Sequence, residues 1–187
     1  MSIEALRFTA FCAYLSALCV FAVGAIVSST PWFQRQAAAV TFLKPAVAVG
    51  TILQIGAVLT ITFHLSDGPL RPKPFELAAV TLLAPLGAAL FVWALLSAPR
   101  FGRLNGLVTH GVYARMRHPI YLAFLAMLLA TGLLASAGQR LLVAVVIYLA
   151  GSELRIASEE QDLARKFTAD YEQYRLRTRW RYLPGLR

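Results

Sequence analysis

Long uncharged apolar runs alternate with shorter polar and basic segments along this chain. A helix that crosses the core of a bilayer needs about 20 consecutive, mainly apolar residues. Five runs reach this length or approach it: residues 8–28, 46–63, 77–97, 120–136 and 141–152. The pattern therefore predicts an all-α integral membrane protein of about five transmembrane helices, in a single membrane domain over residues 1–187.

The last two runs are separated only by residues 137–140. They predict a helical hairpin over about residues 120–156, in which the second arm gains length through Ile156. Within the third run, Pro85 predicts a kink. Beyond the hairpin we expect a C-terminal cytosolic helix, because one set of residues falls on a single stripe at helical spacing: Glu159, Leu163, Phe167, Tyr171 and Tyr174.

Composition and charge support this class and give the chain an orientation. Hydrophobic residues make up 58% of the chain, charged residues 14%, and the formal net charge is +9. Of the 18 basic residues, 13 lie from Arg100 onward, mainly before the hairpin and in the C-terminal tail. Since basic loops stay on the cytoplasmic side, both segments should be cytosolic, and five spans place the N-terminus outside. We therefore expect the positive charge to interact with a bilayer and not with nucleic acid. Arg71 and Lys73 would lie on the outer side and are a mild exception to the rule.

Residues 102–121 are the first candidate for chemistry. Irregular backbone near a membrane persists only where protein or a water-filled cavity satisfies it, and Gly106 and Gly111 interrupt this segment. Pro119 is suited to the first position of a helix, and the amides of that helix start, beside Arg117, would favour an anionic group. An equally good interpretation is an arginine anchor at the membrane interface.

Glu159 and Glu160 are the second candidate, because they lie just past the end of the last apolar run. They can pair with arginines of the preceding loop, hold a cationic ligand, or face solvent. Arg155, four residues earlier, can pair with Glu159. The third candidate, residues 178–184, alternates arginines with aromatic residues, which suits either a membrane surface or a ligand contact. The three histidines lack metal-ligand spacing, so we expect no catalytic metal.

Two of these segments resemble a known family. Gly111-Val112-Tyr113 followed by Arg117-His118-Pro119-Ile120-Tyr121 is similar to the G-x-Y…R-H-P-x-Y signature of the isoprenylcysteine carboxyl methyltransferase and phospholipid methyltransferase superfamily. The stretch from Glu159-Glu160 to Pro184 resembles the E-E…L…F…Y…Y…P ending of the same family. The resemblance covers about residues 102–184, and residues 1–100 add only hydropathy to it.

The resemblance implies an integral-membrane enzyme that transfers a methyl group from S-adenosylmethionine to a lipophilic acceptor and leaves S-adenosylhomocysteine. It divides the domain into N-terminal transmembrane helices over 1–98 and a cofactor-binding catalytic half over 99–187. Arg155, near the acceptor, and Glu159, as a base for an amine, would be catalytic. The implied cofactor-binding residues are Leu107, Val108, His110, Gly111, Tyr113, Arg117, His118, Tyr121, Glu159 and Glu160.

The acceptor stays open at this level. An isoprenylcysteine-type carboxylate and a phospholipid amine are the main candidates, and a small thiol is a third. Two other functions compete with methyl transfer. Membrane sterol reductases that use NADPH carry a similar R-H-P-x-Y segment, and a non-catalytic accessory membrane protein would keep only a degenerate pocket.

Overall fold

Four α-helices and one 3-10 turn account for most of the part of the chain that the structure describes. This computed structural model describes residues 44–66, 72–97 and 107–182, together with Ala5. The elements are α1 (Pro45–Ser66), α2 (Pro74–Ser97), a 3-10 helix (Gly111–Ala114), α3 (Pro119–Leu134) and α4 (Gln139–Arg177). Over the described ranges there is no strand, which confirms the all-helical prediction.

Three of the four helices, α1, α2 and α4, are long and apolar enough to cross a membrane. Helix α3, with 16 residues, is a shorter apolar helix. Four of the five predicted spans thus correspond to helices, while the first, over 8–28, lies outside the described residues. The total of five stays a prediction.

Proline begins each of the first three helices, at Pro45, Pro74 and Pro119. The first helical position suits proline because its missing N–H would have no intrahelical acceptor there. Helix α2 continues through Pro85 and ends at Ser97.

The predicted hairpin is present, but its two arms pack mainly against other helices. A four-residue connection, Ala135 to Gly138, joins α3 to α4 and contains two residues with positive φ, Ser136 at 50° and Gly138 at 51°. Helix α3 packs chiefly on α2, and α4 packs chiefly on α1. The four helices share a core in which side chains of all four meet, including Ile61, Phe91, Phe124 and Tyr148.

The expected C-terminal helix is continuous with α4. The helix runs from Gln139 to Arg177 and is broken once, at Thr168, whose φ is 31° and ψ is −102°. The predicted stripe is therefore interrupted after Phe167. The break turns the last part of α4 toward the 3-10 helix, where the Tyr174 hydroxyl donates to the Tyr113 carbonyl at 2.8 Å.

Polar contacts at opposite ends of α1 and α4 show how the helices are arranged. Lys44, just before α1, forms an ion pair with Asp162 of α4. At the other end of the same pair, Arg140 Nη1 donates to His64 Nδ1 at 2.8 Å. Helices α1 and α4 are therefore antiparallel. The bundle has one end that carries the loop before α3, called the loop end below, and an opposite end that carries the hairpin connection.

Two glycines bring α1 and α4 into close contact. A Cβ atom on Gly50 would lie 2.6 Å from the Gly151 carbonyl oxygen, and one on Gly151 would lie 2.6 Å from the Gly50 carbonyl oxygen. Real Cβ atoms do not approach a backbone oxygen this closely, so the two backbones can touch only because both residues are glycine. The same crossing brings Arg155 against α1.

We predict that Gly50→Ala destabilises the protein, although alanine favours a helix by about 1 kcal/mol over glycine. The new methyl group would force the helices apart, and such overpacking costs typically 1–3 kcal/mol. The midpoint of thermal unfolding in detergent should fall. Gly56→Ala is the matched control in the same helix, because nothing lies within 4 Å of a Cβ there. An equal midpoint for both variants would contradict the packing argument.

Candidate active site

A cavity of about 170 Å³ opens between the loop that precedes α3 and the polar part of α4. Its wall joins apolar side chains to a carboxylate, a guanidinium, an imidazole and two phenols. The lining residues are Leu107, Val108, Tyr113, Arg117, His118, Pro119, Ile120, Glu159, Leu163 and Tyr174. Two segments that are far apart in the sequence thus meet at one place at the loop end of the bundle.

Six residues implied as cofactor ligands line this cavity, while His110, Gly111, Tyr121 and Glu160 do not. His110 is exposed and precedes the 3-10 helix. Gly111 has a φ of 61°, and a Cβ atom there would lie 2.2 Å from Ser97 Oγ. Since Val112 N also donates to Ser97 Oγ at 3.3 Å, Gly111 joins the 3-10 helix to the end of α2.

Glu160 lies behind the cavity wall, where it pairs with cations from both sides. Arg117 Nε donates to Glu160 Oε1 at 3.0 Å, and Arg181 Nη2 donates to Oε2 at 2.9 Å. The Arg117 and Glu160 side chains are only 8% and 12% exposed. Glu160 therefore pairs with a loop arginine, which was one of the three possibilities for Glu159 and Glu160; it neither faces solvent nor opens to the cavity.

The C-terminal segment is docked on the loop through backbone as well as side chains. Arg117 Nη1 donates to the carbonyls of Thr178 and Arg179, at 2.8 and 3.1 Å. The backbone N–H of Arg117 donates to the Trp180 carbonyl at 3.0 Å, and that of His118 donates to the Arg181 carbonyl at 2.9 Å. We define residues 178–182 as the docked tail; it satisfies the irregular backbone ahead of α3.

His118 is buried between the two glutamates. Its Nδ1 lies 3.6 Å from Glu159 Oε2, and its Nε2 lies 3.2 Å from Glu160 Oε1. The imidazole side chain does not cap α3, which begins directly after it. His118 therefore connects the glutamate in the cavity to the glutamate behind it.

Glu159 is the carboxylate that faces the cavity, and its side chain is 22% exposed. The Tyr121 hydroxyl donates to Glu159 Oε1, and Arg155 Nε donates to the same hydroxyl at 3.2 Å. Arg155 is 4% exposed and does not line the cavity. Its Nη1 instead donates to Thr51 Oγ1 at 3.0 Å and to Gln54 Oε1 at 3.3 Å in α1.

Tyr113 supplies an uncharged aromatic wall. Burial, and then the negative charge of Glu159, raise the pKa of the Tyr113 hydroxyl to about 12. The phenol therefore stays protonated across the physiological pH range. Together with Tyr174 on the same cavity, it offers π-faces that attract a cationic group.

A second, more polar cavity of about 390 Å³ adjoins the first and shares Leu107 and Tyr174 with it. Its other lining residues are Thr109, Ala114, Asp170, Gln173, Arg177 and Thr178. Sites for small molecules and cofactors usually have about 300–1,000 Å³. The first cavity is below this range by itself, so a ligand of cofactor size would extend toward the second.

A family comparison agrees with the geometry. The phospholipid methyltransferase family model matches residues 78–170, about half of the chain. The chain belongs to the phospholipid methyltransferase family. Membership implies a methyltransferase that acts at a membrane, which agrees with the apolar helices. No curated protein matches the chain.

The match includes the loop before α3 and both glutamates, but it leaves α1 and the docked tail outside. In this methyltransferase, both of those parts nevertheless bind residues of the matched region. Thr51 and Gln54 were not predicted as site residues. A glutamine within an apolar span could have indicated the contact, because a polar residue inside a membrane is destabilising unless it has partners. Arg181 and Tyr182 belong to the third candidate segment, and both bind Glu153 at 2.9 Å.

Among the residues described, no group of three histidine, cysteine, aspartate or glutamate side chains is arranged to hold a metal ion. The wall of the first cavity carries one carboxylate, Glu159, and one guanidinium, Arg117. This arrangement suits the recognition of an organic ion that carries charges of both signs.

We predict that Glu160→Gln loosens the docked tail of the methyltransferase. Glutamine keeps the size of the side chain but removes the charge that faces Arg117 and Arg181, which costs about 2 kcal/mol for hydrogen bonds to charged groups. Trypsin should then cleave within residues 177–181 several-fold faster. Glu172→Gln is the control, since Glu172 pairs with Arg175 on the surface with its side chain 56% exposed. Equal cleavage rates would contradict a clamping role for Glu160.

Proposed function

We propose that the chain transfers a methyl group from S-adenosylmethionine to a lipid acceptor at the membrane and leaves S-adenosylhomocysteine. The main observation behind the proposal is that the Glu159 carboxylate faces a cavity between the loop before α3 and α4. The phospholipid methyltransferase family match over both segments supports it.

The residues of the cavity fit the charges of this cofactor. S-adenosylmethionine carries an ammonium and a sulfonium, which Glu159 and the Tyr113 and Tyr174 rings can attract. It also carries a carboxylate, for which Pro119 and Ile120 bring the start of α3 to the wall. The first amides of a helix lack intrahelical acceptors and favour an anion.

Arg117 was expected to bind the cofactor directly, but its guanidinium is already paired within the protein. Each nitrogen of its guanidinium already has an acceptor in the protein, either Glu160 or a carbonyl of the docked tail. Arg117 would therefore support the cofactor carboxylate through its positive charge and by fixing the loop. Glu160 supports the site in the same indirect way.

For the acceptor, a phospholipid amine is favoured over a carboxylate by two observations. The family description names phospholipid as the substrate class. Arg155, the residue expected to bind an acceptor carboxylate, does not line the cavity: its Nη1 donates to α1, and its Nη2 lies 4.0 Å from Glu159 Oε1. An amine must be unprotonated when it attacks, and Glu159 is the carboxylate available to take its proton.

For methyl transfer, the protein then has mainly to align the two reactants and to exclude water from them. When bound, the cofactor supplies a methyl carbon on a positively charged sulfur. Tyr113 and Tyr174 would hold the sulfonium, and Glu159 would accept the proton that the amine nitrogen loses when it takes the methyl group. Leu107, Val108 and Leu163 keep water from the reacting atoms. Alignment of two reactants supplies about 7–11 kcal/mol in favourable cases.

The charge distribution supports an active site that faces the cytosol. Most basic side chains of the described residues lie at the loop end, where the cavity opens, for example Arg115, Lys166 and Arg175. Few lie at the opposite end, where Lys73 and Arg140 are found. Basic segments are retained on the cytoplasmic side of membranes.

The first test is calorimetric titration of the detergent-purified protein with S-adenosylhomocysteine, and with NADPH as a parallel ligand. We expect saturable binding of S-adenosylhomocysteine and none of NADPH. Binding of NADPH alone would favour the reductase instead, and binding of neither ligand would favour a non-catalytic membrane protein.

Glu159→Gln should weaken S-adenosylhomocysteine binding at least about tenfold, because it removes the anion that faces the ammonium group. Glutamine can still accept from the Tyr121 hydroxyl, so the unfolding midpoint should change little. Asp170→Asn, which removes a charge from the second cavity alone, is the control and should have a smaller effect. Unchanged affinity in Glu159→Gln would remove Glu159 from the cofactor site.

A further inference from the structure

The α1–α4 crossing contains a buried polar cluster that the proposed reaction does not use. Gln54 is 9% exposed, Ser152 0% and Arg155 4%, although all three lie in or next to apolar spans. Buried polar groups at membrane depth are costly unless they are paired, and they are often functional. The contact of Gly50 with Gly151 allows α1 to approach closely enough for Gln54 to reach both α4 residues.

The orientation of the Gln54 amide follows from the hydrogen bond of its neighbour. The Ser152 hydroxyl donates its only hydrogen to the Tyr148 carbonyl at 2.8 Å, so its oxygen can only accept from Gln54. Gln54 Nε2 lies 2.9 Å from that oxygen and is therefore the donor. The opposite end of the amide, Oε1, then faces Arg155 Nη1 as an acceptor at 3.3 Å.

The same directional argument continues to the cavity. Arg155 has no acceptor atom, so its Nε donates to the Tyr121 hydroxyl oxygen at 3.2 Å. The Tyr121 hydrogen is thereby turned toward Glu159 Oε1, which accepts it. Arg155 therefore donates in both directions, to Gln54 in α1 and to the Tyr121 hydroxyl, which in turn donates to the carboxylate on the cavity wall.

We infer that Gln54 is a positioning residue: through Arg155 and the Tyr121 hydroxyl, it sets the orientation of the Glu159 carboxylate that faces the cofactor cavity. The inference rests on the proposed function, since it concerns how the cofactor site is held. It gives α1, which lies outside the family-matched residues 78–170, a part in holding the site. Helix α1 then does more than anchor the protein in the bilayer.

The test compares S-adenosylhomocysteine affinity in two variants at this position. Gln54→Leu removes one of the two acceptors of Arg155 Nη1 in α1 and leaves Thr51, and we expect binding at least about tenfold weaker. Gln54→Glu keeps an acceptor oxygen toward Arg155, and its affinity should stay within about threefold of the wild type. The control is Thr62→Val in α1: within the described ranges, its hydroxyl bonds the Val58 carbonyl of its own helix, so the change should leave binding unchanged.

A double variant separates positioning from general loss of stability. If Gln54 acts through Arg155, then Gln54→Leu combined with Arg155→Met should bind no more weakly than Arg155→Met alone. Losses that multiply in the double variant would overturn the inference. So would wild-type affinity in Gln54→Leu.

The remaining outcomes are also decisive. If Gln54→Leu does not fold, Thr51→Val carries the same comparison, because Thr51 Oγ1 accepts from the same Arg155 Nη1 at 3.0 Å. If the wild type itself fails to bind S-adenosylhomocysteine, the proposed function falls together with this role. If the wild type binds and neither α1 variant changes the affinity, only the positioning role falls.

Discussion

The site depends on a constraint of the bilayer boundary: backbone that leaves a helix there must find its hydrogen-bond partners within the protein. The loop before α3 finds them in the docked tail, which is far away in the sequence. Its backbone donates to the carbonyls of Trp180 and Arg181, and the Tyr113 carbonyl accepts from the Tyr174 hydroxyl. The ion pair between Arg117 and Glu160 closes the same junction with side chains. The cavity lies beside this junction, between the loop and α4.

This constraint explains why the two adjacent glutamates have different tasks. Glu160 is surrounded by Arg117, His118 and Arg181, and a carboxylate so fully paired is poorly suited to a ligand. Glu159, one residue earlier, points to the other side of α4 and remains accessible from the cavity. Adjacent positions on a helix face directions about 100° apart, so a Glu-Glu pair naturally supplies one group for the ligand and one for the scaffold.

Hydropathy was sufficient to predict four of the helices and the hairpin, because a membrane span needs little more than length and the absence of charge. It could not predict that α3 and α4 pack mainly on different helices, which depends on small residues such as Gly50 and Gly151 meeting across chain segments. The predicted stripe from Glu159 to Tyr174 assumed one straight helix, and the break at Thr168 ends that periodicity. Local motifs located the cavity residues from Leu107 to His118, but Gln54 and Arg181 reach the site only through tertiary contacts.

The glycine contact between α1 and α4 has a consequence for how freely the first half of such a chain can vary. Some positions of α1 face away from the core, such as the exposed Val49, Ile52 and Ile55, and there an apolar side chain is enough for a helix in a bilayer. Gly50, Thr51 and Gln54 are different, because a small residue, a hydroxyl and an amide must occupy these positions within little more than one helical turn. Helix α1 therefore contains a short polar signature among positions that need only be apolar. A chimaera in which another transmembrane helix without this signature replaced α1 would still insert in the bilayer but would not restore the site.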